Sequence, residues 1–376
     1  MNNQQPIRII QVGAGGMGRA WLGAIGRSPD ADLVGLVDIV PGAAEAALEA
    51  TGTPPVPTAT ALPELLHRVE ADAVVNVTIP EAHAEVSITA LFAGLPVLCE
   101  KPAAENTAAA LSMAAAAEAS GRLMMISQSR RYYGNVLALR ELITRIGGAG
   151  FVECSFYKAP HFGGFRDQMA YPLLIDMAIH QFDLSRLLVD SDPVSIFCES
   201  FNPAWSWYAG DAAAQVSTVF ADGTRFAFTG SWCSPGLETS WNGDWRISGP
   251  DGTARWDGDH APTAETADGR PLQVDVPDLP PEINGSLAEF IAALRGGPVP
   301  DGEVHSNIVS LLMIEAAVRS ARSGQRETLA GFLQEAYQAA LRSEQRPEVR
   351  AALAGWSSVH EVIGRPYHGA ASQAAL

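Results

Sequence analysis

A glycine-rich turn near the start of the chain constrains the fold more than any other feature. The apolar run IRIIQV leads directly into GAGGMG at residues 13–18, and a segment with apolar residues at helical spacing follows. Glycines at such a junction let the backbone approach a pyrophosphate at the N-terminus of the helix. The spacing alone is weak evidence in a chain with 35 glycines, and a tight turn without a ligand is the alternative.

Asp38 adds a second element to this pattern. It closes the apolar run LVGLVDIV, about 20 residues after the glycine turn, where an acid hydrogen-bonds the adenosine ribose hydroxyls. A carboxylate there repels the additional phosphate of NADP, and residues 39–42 supply no base, which leaves Arg19 as the nearby candidate. The sequence therefore favours NAD over NADP. The predicted cofactor contacts in this region are Gly13, Gly15, Gly16, Met17, Gly18 and Asp38.

The hydrophobic pattern changes character part-way along the chain. Up to about residue 127, buried apolar runs alternate with alanine-rich helical stretches, which predicts a doubly wound parallel sheet. Later segments alternate polar and apolar residues around DG and GPDG turns, which predicts antiparallel hairpins. We therefore predict an α/β protein with a Rossmann domain at 1–127 and an α+β domain with a large, open, mostly antiparallel sheet at 128–330. We expect the helix near 303–323 to pack back on the Rossmann domain and 331–376 to form a C-terminal extension.

Composition argues against several classes of protein. The formal net charge of −17 disfavours binding to a phosphate backbone, so we expect no nucleic-acid partner. No apolar run is long enough to span a bilayer and no secretory signal is visible, so we expect a cytoplasmic protein with no membrane partner. The four cysteines are widely spaced, which predicts reduced, buried thiols and no metal site.

Two clusters of residues carry chemistry. Glu100-Lys101-Pro102 follows the strand LPVLC, and Asp176 and His180 lie on the predicted helix YPLLIDMAIHQFDLSRLLVD. Residues four apart share one face of an α-helix, so Asp176 and His180 can address the same space. Each cluster also has a simple alternative: a solvated lysine at a strand end, and a histidine satisfied within a core.

Taken together and in order, these elements resemble the glucose-fructose oxidoreductase, inositol dehydrogenase and rhizopine-catabolism (Gfo/Idh/MocA) family. The resemblance rests on the glycine turn, TIPEAH, AGLPVLCEKP, Arg-Arg-Tyr at 130–132, GAGFVECSF, YPLLIDMAIHQFD and ISGPDGTARWDG, and covers about residues 6–330. It implies a Rossmann domain and an α/β domain with a large open sheet. It also implies a homodimer or homotetramer, which we expect to assemble through that sheet. Ile79 and Met177-Ala178 depart from the pattern, and the second departure puts the shape of the substrate in doubt.

The resemblance also implies roles for individual residues. His180 would be the general base that removes the hydroxyl proton, Lys101 would hydrogen-bond the same oxygen, and Asp176 would anchor the substrate. The peptide bond before Pro102 is often cis in the family. The further cofactor contacts implied are Thr78, Pro80, His83, Glu100 and Lys101; the predicted substrate contacts are Arg130, Arg166, Asp176 and His180.

Other side chains are weaker candidates for substrate binding. His161 and Arg166 lie on the glycine-flexible loop APHFGGFRDQ, where they could close over a substrate or simply be solvated. Arg131 is a further basic candidate beside Arg130. Four tryptophans complete the set, and their spacing is more typical of a sheet or interface core than of a sugar platform: Trp205, Trp207, Trp241 and Trp245.

These observations lead to one functional hypothesis with two rivals. We expect an NAD-dependent oxidoreductase that transfers hydride between nicotinamide and a secondary alcohol of a sugar, inositol or related polyol. The first rival is a lyase or glycosidase that uses tightly held NAD as a shuttle. The second is a non-catalytic NAD-binding sensor or corepressor, against which the presence of Lys101, Asp176 and His180 counts.

Overall fold

The computed structural model describes residues 5–365 and divides the chain into two compact units. The first unit contains residues 5–129, 280–309 and 334–365, and the second contains residues 130–279 and 310–333. The predicted extension at 331–376 therefore contributes to the first unit over most of its length. Its last residues, 366–376, lie outside the described residues.

A six-stranded sheet with the order β3-β2-β1-β4-β5-β6 forms the centre of the first unit. All of its strand pairs are parallel, as predicted for a doubly wound sheet. The strand order reverses between β1 and β4, and ligands of such sheets bind at this switch point. The strands are β1 (Ile7–Val12), β2 (Ala31–Val37), β3 (Thr58–Ala59), β4 (Ala73–Asn76), β5 (Val97–Glu100) and β6 (Met124–Ser127).

Five helices connect these strands. Their apolar faces are buried because both faces of a parallel sheet must be covered. Trp21 and Leu22 of the first helix are almost completely buried, and so is the alanine-rich side of the fifth helix. The helices are α1 (Gly16–Arg27), α2 (Ala43–Thr51), α3 (Leu62–Leu66), α4 (Pro80–Phe92) and α5 (Thr107–Ser120).

The second unit is built on a nine-stranded sheet with the order β14-β13-β12-β11-β7-β10-β9-β8-β15. Its pairs are antiparallel except for β7 with β10, which is parallel, so the mostly antiparallel sheet is confirmed. The strands are β7 (Phe151–Tyr157), β8 (Pro193–Phe201), β9 (Ala213–Phe220), β10 (Arg225–Ser231), β11 (Asp244–Gly249), β12 (Gly252–Trp256), β13 (Thr263–Thr266), β14 (Pro271–Leu272) and β15 (Glu327–Thr328).

Helices cover one face of this sheet. α6 (Gly134–Arg145) packs on β12 and β13, and Phe182 of α7 (Ile179–Val189) makes edge-on contacts with Phe226 and Phe228 of β10. Along β7, Val152, Cys154 and Phe156 are buried while Phe151 and Glu153 are exposed. Burial therefore alternates along β7, with one face of the strand covered and the other exposed.

Five more helices follow the second sheet's main strands. α11 packs on α5, and α8 packs on α1. The helices are α8 (Glu282–Leu294), α9 (Val304–Ser323), α10 (Leu329–Ser343), α11 (Pro347–Gly355) and α12 (Val359–Val362).

A buried polar cluster fastens the C-terminal segment within the first unit. The ring of His305 lies between two carboxylates, with Nδ1 2.7 Å from Glu303 Oε1 and Nε2 3.0 Å from Glu118 Oε1. The second oxygen of Glu118 accepts a hydrogen bond from Nε1 of Trp356 at 2.8 Å. Burial lowers the pKa of His305, but the hydrogen bonds to Glu118 and Glu303 outweigh it and raise the pKa to about 9. The cluster therefore holds a charged imidazolium at neutral pH.

The remaining structural expectations concern cysteines, metals and membranes. All four cysteines are free thiols, and they are buried as predicted. Within residues 5–365, no group of histidine, cysteine and acidic side chains has the arrangement of a metal site. No helix in this part of the chain combines the length and the apolar character that a membrane crossing requires.

Candidate functional site

The glycine turn lies between β1 and α1, at the switch edge of the first sheet. Gly13 has φ +106°, and a Cβ there would lie 2.4 Å from the carbonyl oxygen of Val77. A Cβ at Gly18 would lie 2.4 Å from the carbonyl oxygen of Gly13, whereas Gly15 and Gly16 have nothing within 4 Å. The outer glycines are thus required by backbone packing. The middle pair leaves the N-terminus of α1 open to a ligand.

The side-chain amide of Gln11 stabilises this turn through hydrogen bonds to its backbone. Its buried Nε2 donates to the carbonyl oxygens of Gly13 at 2.8 Å and of Gly18 at 2.9 Å, so one amide holds both ends of the loop. This role of Gln11 is not predicted by the motifs above. The available signal was a polar side chain inside the otherwise apolar run IRIIQV, because a buried amide needs hydrogen-bond partners.

Asp38 is oriented towards the same turn. Its Oδ2 accepts from the backbone N–H of Ala14 at 2.8 Å, and its Oδ1 accepts from that of Val40 at 2.9 Å. Three apolar side chains that follow the ends of β1, β2 and β4 are exposed: Met17, Ile39 and Ile79, respectively. An open helix N-terminus, a fixed carboxylate and exposed apolar side chains together fit the pyrophosphate, ribose and rings of a dinucleotide.

The loop after β4 is held from inside by two polar residues. Asn76 accepts from the hydroxyl of Thr78 at 2.7 Å and donates to the carbonyl oxygen of His83 at 3.1 Å. The ring of His83 lies 2.8 Å from the carbonyl oxygen of Pro102 and 3.2 Å from that of Thr78. Burial lowers the pKa of His83 and favours a neutral ring. The ring of His83 is thus buried between the segments that carry Thr78 and Pro102, while Thr78 lies on the loop before α4 and Pro80 is the first residue of that helix.

β5 ends at Glu100, Lys101 follows it, and the Lys101–Pro102 peptide bond is cis. Glu100 is buried, accepts from Trp21 Nε1 at 2.8 Å and accepts from the backbone N–H of Lys101 at 3.0 Å. Burial raises the pKa of Glu100, and the charge of Lys101 and the Trp21 hydrogen bond act in the opposite direction. Glu100 therefore orients the backbone that carries Lys101.

In the second unit, the segment that carries Asp176 departs from the predicted continuous α-helix. Leu173–Ala178 forms a π-helix, and α7 begins only at Ile179. The i→i+5 hydrogen bonds of a π-helix widen the turn, so Asp176 and His180 are not related by the α-helical spacing that we expected. Single π-helical turns are frequent at functional sites. His180 is 7% exposed, and Asp176 is partly buried.

Arg166 contacts Asp176, a pairing that its position on the loop did not predict. Its Nε lies 2.5 Å from Asp176 Oδ2, and its guanidinium packs over the rings of Phe162 and Phe165. Arg130 lies in a short 3₁₀ helix, Ser129–Tyr132, where its Nη1 donates to the hydroxyl of Tyr133 at 2.9 Å. The chain thus joins one of the two predicted arginines directly to the predicted anchoring carboxylate.

A second buried network holds α7 one turn beyond His180. Arg131 forms a bidentate pair with Asp183, with both N–O distances at 2.7 Å. The hydroxyl of Ser310 donates to Asp183 at 2.7 Å and accepts from Arg186 at 2.9 Å. Burial, followed by the charge of Arg131, lowers the pKa of Arg186 to about 10. Arg131 is a substrate candidate by sequence, but its pairing with Asp183 makes it a support of α7.

Two family models match the chain. One is described as "Oxidoreductase family, NAD-binding Rossmann fold" and matches residues 7–128; the other is the "GFO/IDH/MocA C-terminal domain" and matches residues 136–255. The chain belongs to the Gfo/Idh/MocA oxidoreductase family. It is therefore an oxidoreductase, and its N-terminal domain binds NAD.

Individual relatives cover most of the chain at low identity. The uncharacterized protein y4oX of Sinorhizobium fredii is 29% identical over 348 residues, which is 87% of this chain and 97% of that protein. The 1,5-anhydro-D-fructose reductase of Ensifer adhaerens is 28% identical over 339 residues, covering 84% and 96%. Inositol 2-dehydrogenases match shorter stretches.

Solved structures share the fold. An oxidoreductase from Agrobacterium radiobacter, solved with NAD⁺, L-tartaric acid and magnesium, superposes with a TM-score of 0.78 at 18% identity, and the match covers 88% of this chain and 100% of that chain. At this identity the similarity is one of fold.

Proposed function

We propose that this oxidoreductase transfers hydride between NAD and a secondary alcohol of a sugar, inositol or related polyol. One observation carries the proposal. Asp176 lies on a π-turn that leads directly into the helix of His180, and its carboxylate contacts Arg166. An acid and a cation in contact, four residues before a histidine, suit a hydroxylated substrate, because hydroxyls both donate and accept hydrogen bonds. The sugar reductase and inositol dehydrogenases among the relatives support the same substrate class.

The first unit supplies the proposed cofactor contacts. The open N-terminus of α1 at Gly15 and Gly16 suits the pyrophosphate, and the carboxylate of Asp38 suits the ribose hydroxyls. In our assignment, the bound pyrophosphate and ribose are flanked by Met17, Thr78, Pro80 and Glu100. Because its ring is buried, we assign His83 to bracing the Thr78 and Pro102 loops rather than to direct contact.

Bound NAD supplies the hydride acceptor. His180 accepts the hydroxyl proton, and Lys101 donates a hydrogen bond to the same oxygen, which favours the developing alkoxide. Asp176 accepts from a neighbouring substrate hydroxyl, with Arg166 and Arg130 as further substrate contacts. The Arg131–Asp183 pair keeps α7 in place while His180 exchanges its proton.

Assembly through the open sheet face is part of the same proposal. Phe151 and Glu153 of β7 are exposed on the chain, and the opposite face of that strand is buried. A sheet with one uncovered face suits a homodimer or homotetramer. Sedimentation of the purified protein tests this directly, and a monomer at micromolar concentration would contradict it.

A panel of sugars, inositols and polyols with NAD and with NADP tests the proposed reaction by reduced-cofactor absorbance. We expect net NADH formation, greater with NAD than with NADP. Glycoside cleavage without NADH would favour the lyase or glycosidase alternative, and tight NAD binding without turnover would favour a sensor.

Two substitutions test the assignments of individual residues. We expect His180→Ala to lower kcat roughly 10²–10⁴-fold, the usual worth of general base catalysis, while the exposed His260→Ala serves as the matched control. Asp38→Ala should weaken NADH binding in a fluorescence titration. Near-full turnover in His180→Ala, or unchanged NADH affinity in Asp38→Ala, would refute the corresponding assignment.

A further inference from the structure

Several large aromatic side chains of the second unit are exposed. Phe162 is 52% exposed, Phe165 67%, Trp205 65% and Trp241 38%. The spacing of the tryptophans is more typical of a sheet or interface core; Trp245 is buried, whereas Trp205 and Trp241 are exposed on the chain. Exposed apolar groups gathered in one place mark binding surfaces, whereas scattered ones need no explanation.

Ring contacts join part of this set into one surface. The ring centroid of Phe162 lies 6.3 Å from that of Trp241 and 5.8 Å from that of the buried Trp232. Arg166 lies over both Phe162 and Phe165. We call Phe162, Phe165 and Trp241 the aromatic patch.

The loops that carry the aromatic patch are tied to the sheet. The hydroxyl of Tyr208 donates to the carbonyl oxygen of Pro160 at 2.8 Å, and the backbone N–H of Thr239 donates to Tyr157 at 3.0 Å. Tyr208 is itself stacked on Trp232. The patch is therefore a supported surface, which lowers the entropy that a ligand must overcome.

The patch adjoins the proposed substrate groups. Arg166, which packs on two of its rings, is paired with Asp176. Gln181, the neighbour of His180, lies with Nε2 3.5 Å from the backbone carbonyl oxygen of Trp241. Asp176 is therefore linked to the aromatic patch through Arg166.

The charges around the patch are balanced. Lys158 lies over the ring of Trp241, but its Nζ is 3.1 Å from a carboxylate oxygen of Glu238. The other cation, Arg166, is paired with Asp176. A phosphate or carboxylate would have to compete with these acids, so the surface favours an uncharged ligand.

We propose that the aromatic patch binds a second, neutral ring of the substrate, so that the preferred substrate is a glycoside rather than a free monosaccharide or cyclitol. This inference rests on the proposed function, which assigns the reacting ring to Asp176 and His180. The required chemistry is a ring with an apolar face, which a second pyranose and an aromatic aglycone both provide.

Ligand-observed NMR on the NAD-saturated protein measures binding without requiring turnover. The probes are matched sets built on glucose, galactose and mannose: the methyl glycoside, the phenyl glycoside and a disaccharide of each. For at least one sugar we expect the two-ring ligand to bind about tenfold more tightly than its methyl counterpart, a factor equivalent to about 1.4 kcal/mol. The phenyl and disaccharide arms distinguish an aromatic aglycone from a second sugar.

Variants locate the preference on the protein. Phe162→Ala and Trp241→Ala should bring the ratio of the two dissociation constants towards one. Phe332→Ala is the matched control and should keep the ratio, because Phe332 also lies under an arginine, Arg319, in the same unit but outside the patch. Sedimentation of each variant reports whether the assembly changes.

The outcomes separate this inference from the proposed function. A ring preference that both patch substitutions abolish supports the inference, even if no NADH forms and the proposed reaction fails. NADH formation without any ring preference overturns the inference and leaves the proposed reaction standing. Three other outcomes also overturn the inference. The ring preference survives both substitutions, or no probe binds at all. Alternatively, the substitutions convert an oligomer to monomers and no ring preference is found.

Discussion

Raising the pH should weaken the attachment of the C-terminal segment, because that attachment uses a charged histidine. His305 is almost completely buried between Glu303 and Glu118, and Glu118 also accepts from Trp356. Its pKa in the folded protein is raised from 6.5 to about 9. Folded protein therefore holds this proton more tightly than unfolded protein does.

The direction and size of the effect follow from linkage. The stabilisation is fully present below about pH 6.5 and is lost as the pH rises towards about 9. Each pKa unit corresponds to about 1.4 kcal/mol, so the full contribution is on the order of 3 kcal/mol. This is a large fraction of the stability of a typical domain.

A pair of variants isolates the titration of this one residue. Urea unfolding of the wild type and of His305→Gln is followed between about pH 6 and pH 9.5, and the difference in free energy of unfolding is plotted against pH. We expect the gap to be largest near pH 6 and to shrink by on the order of 3 kcal/mol across the range.

The control is His360→Gln, which changes an exposed histidine of the same C-terminal segment. Its gap from the wild type should stay flat with pH. If the gap for His305→Gln is also flat, or grows with pH, His305 is not a charged group held by the two glutamates and the reasoning fails.

Two further predictions concern the glycine turn and the α7 support. Gly13→Ala should lower the free energy of unfolding by more than about 1 kcal/mol and weaken NADH binding, because of its φ of +106° and its 2.4 Å approach to Val77. Gly15→Ala should weaken NADH binding while changing unfolding by less than about 0.5 kcal/mol, since its Cβ meets no protein atom; equal losses of stability in the two variants would contradict this. Asp183→Asn should destabilise the protein by about 3–5 kcal/mol in urea unfolding, because the buried Arg131 loses its counter-charge, and a loss below about 1 kcal/mol would count against a buried ion pair.

Local patterns predicted the architecture well. The alternation of apolar runs with helical stretches indicated the parallel sheet, and turn dipeptides indicated the hairpins of the second sheet. The glycine turn and Asp38 could be located for the same reason: the packing that requires glycine and the strand end that carries the acid are set within one strand–helix unit.

Features that depend on wider turns or buried amides were harder to predict. The π-turn at Leu173–Ala178 follows no simple periodicity, so the sequence pattern predicts Asp176 and His180 as neighbours on an α-helix. Gln11 and Asn76 act through hydrogen bonds to backbone groups. The role of these two amides can be recognised only when the positions of their backbone partners in the fold are known.

By itself the sequence determined the order of strands and helices, the nucleotide turn and the family pattern, because each is encoded by neighbouring residues. Only the tertiary structure decided which distant residues meet. Arg131 finds Asp183 52 positions away, and Glu118 finds Trp356 238 positions away. Such pairs are selected by burial, since a charge or indole N–H removed from water must find a partner wherever the fold provides one. The same packing leaves the aromatic patch at the surface, which spacing along the chain does not reveal.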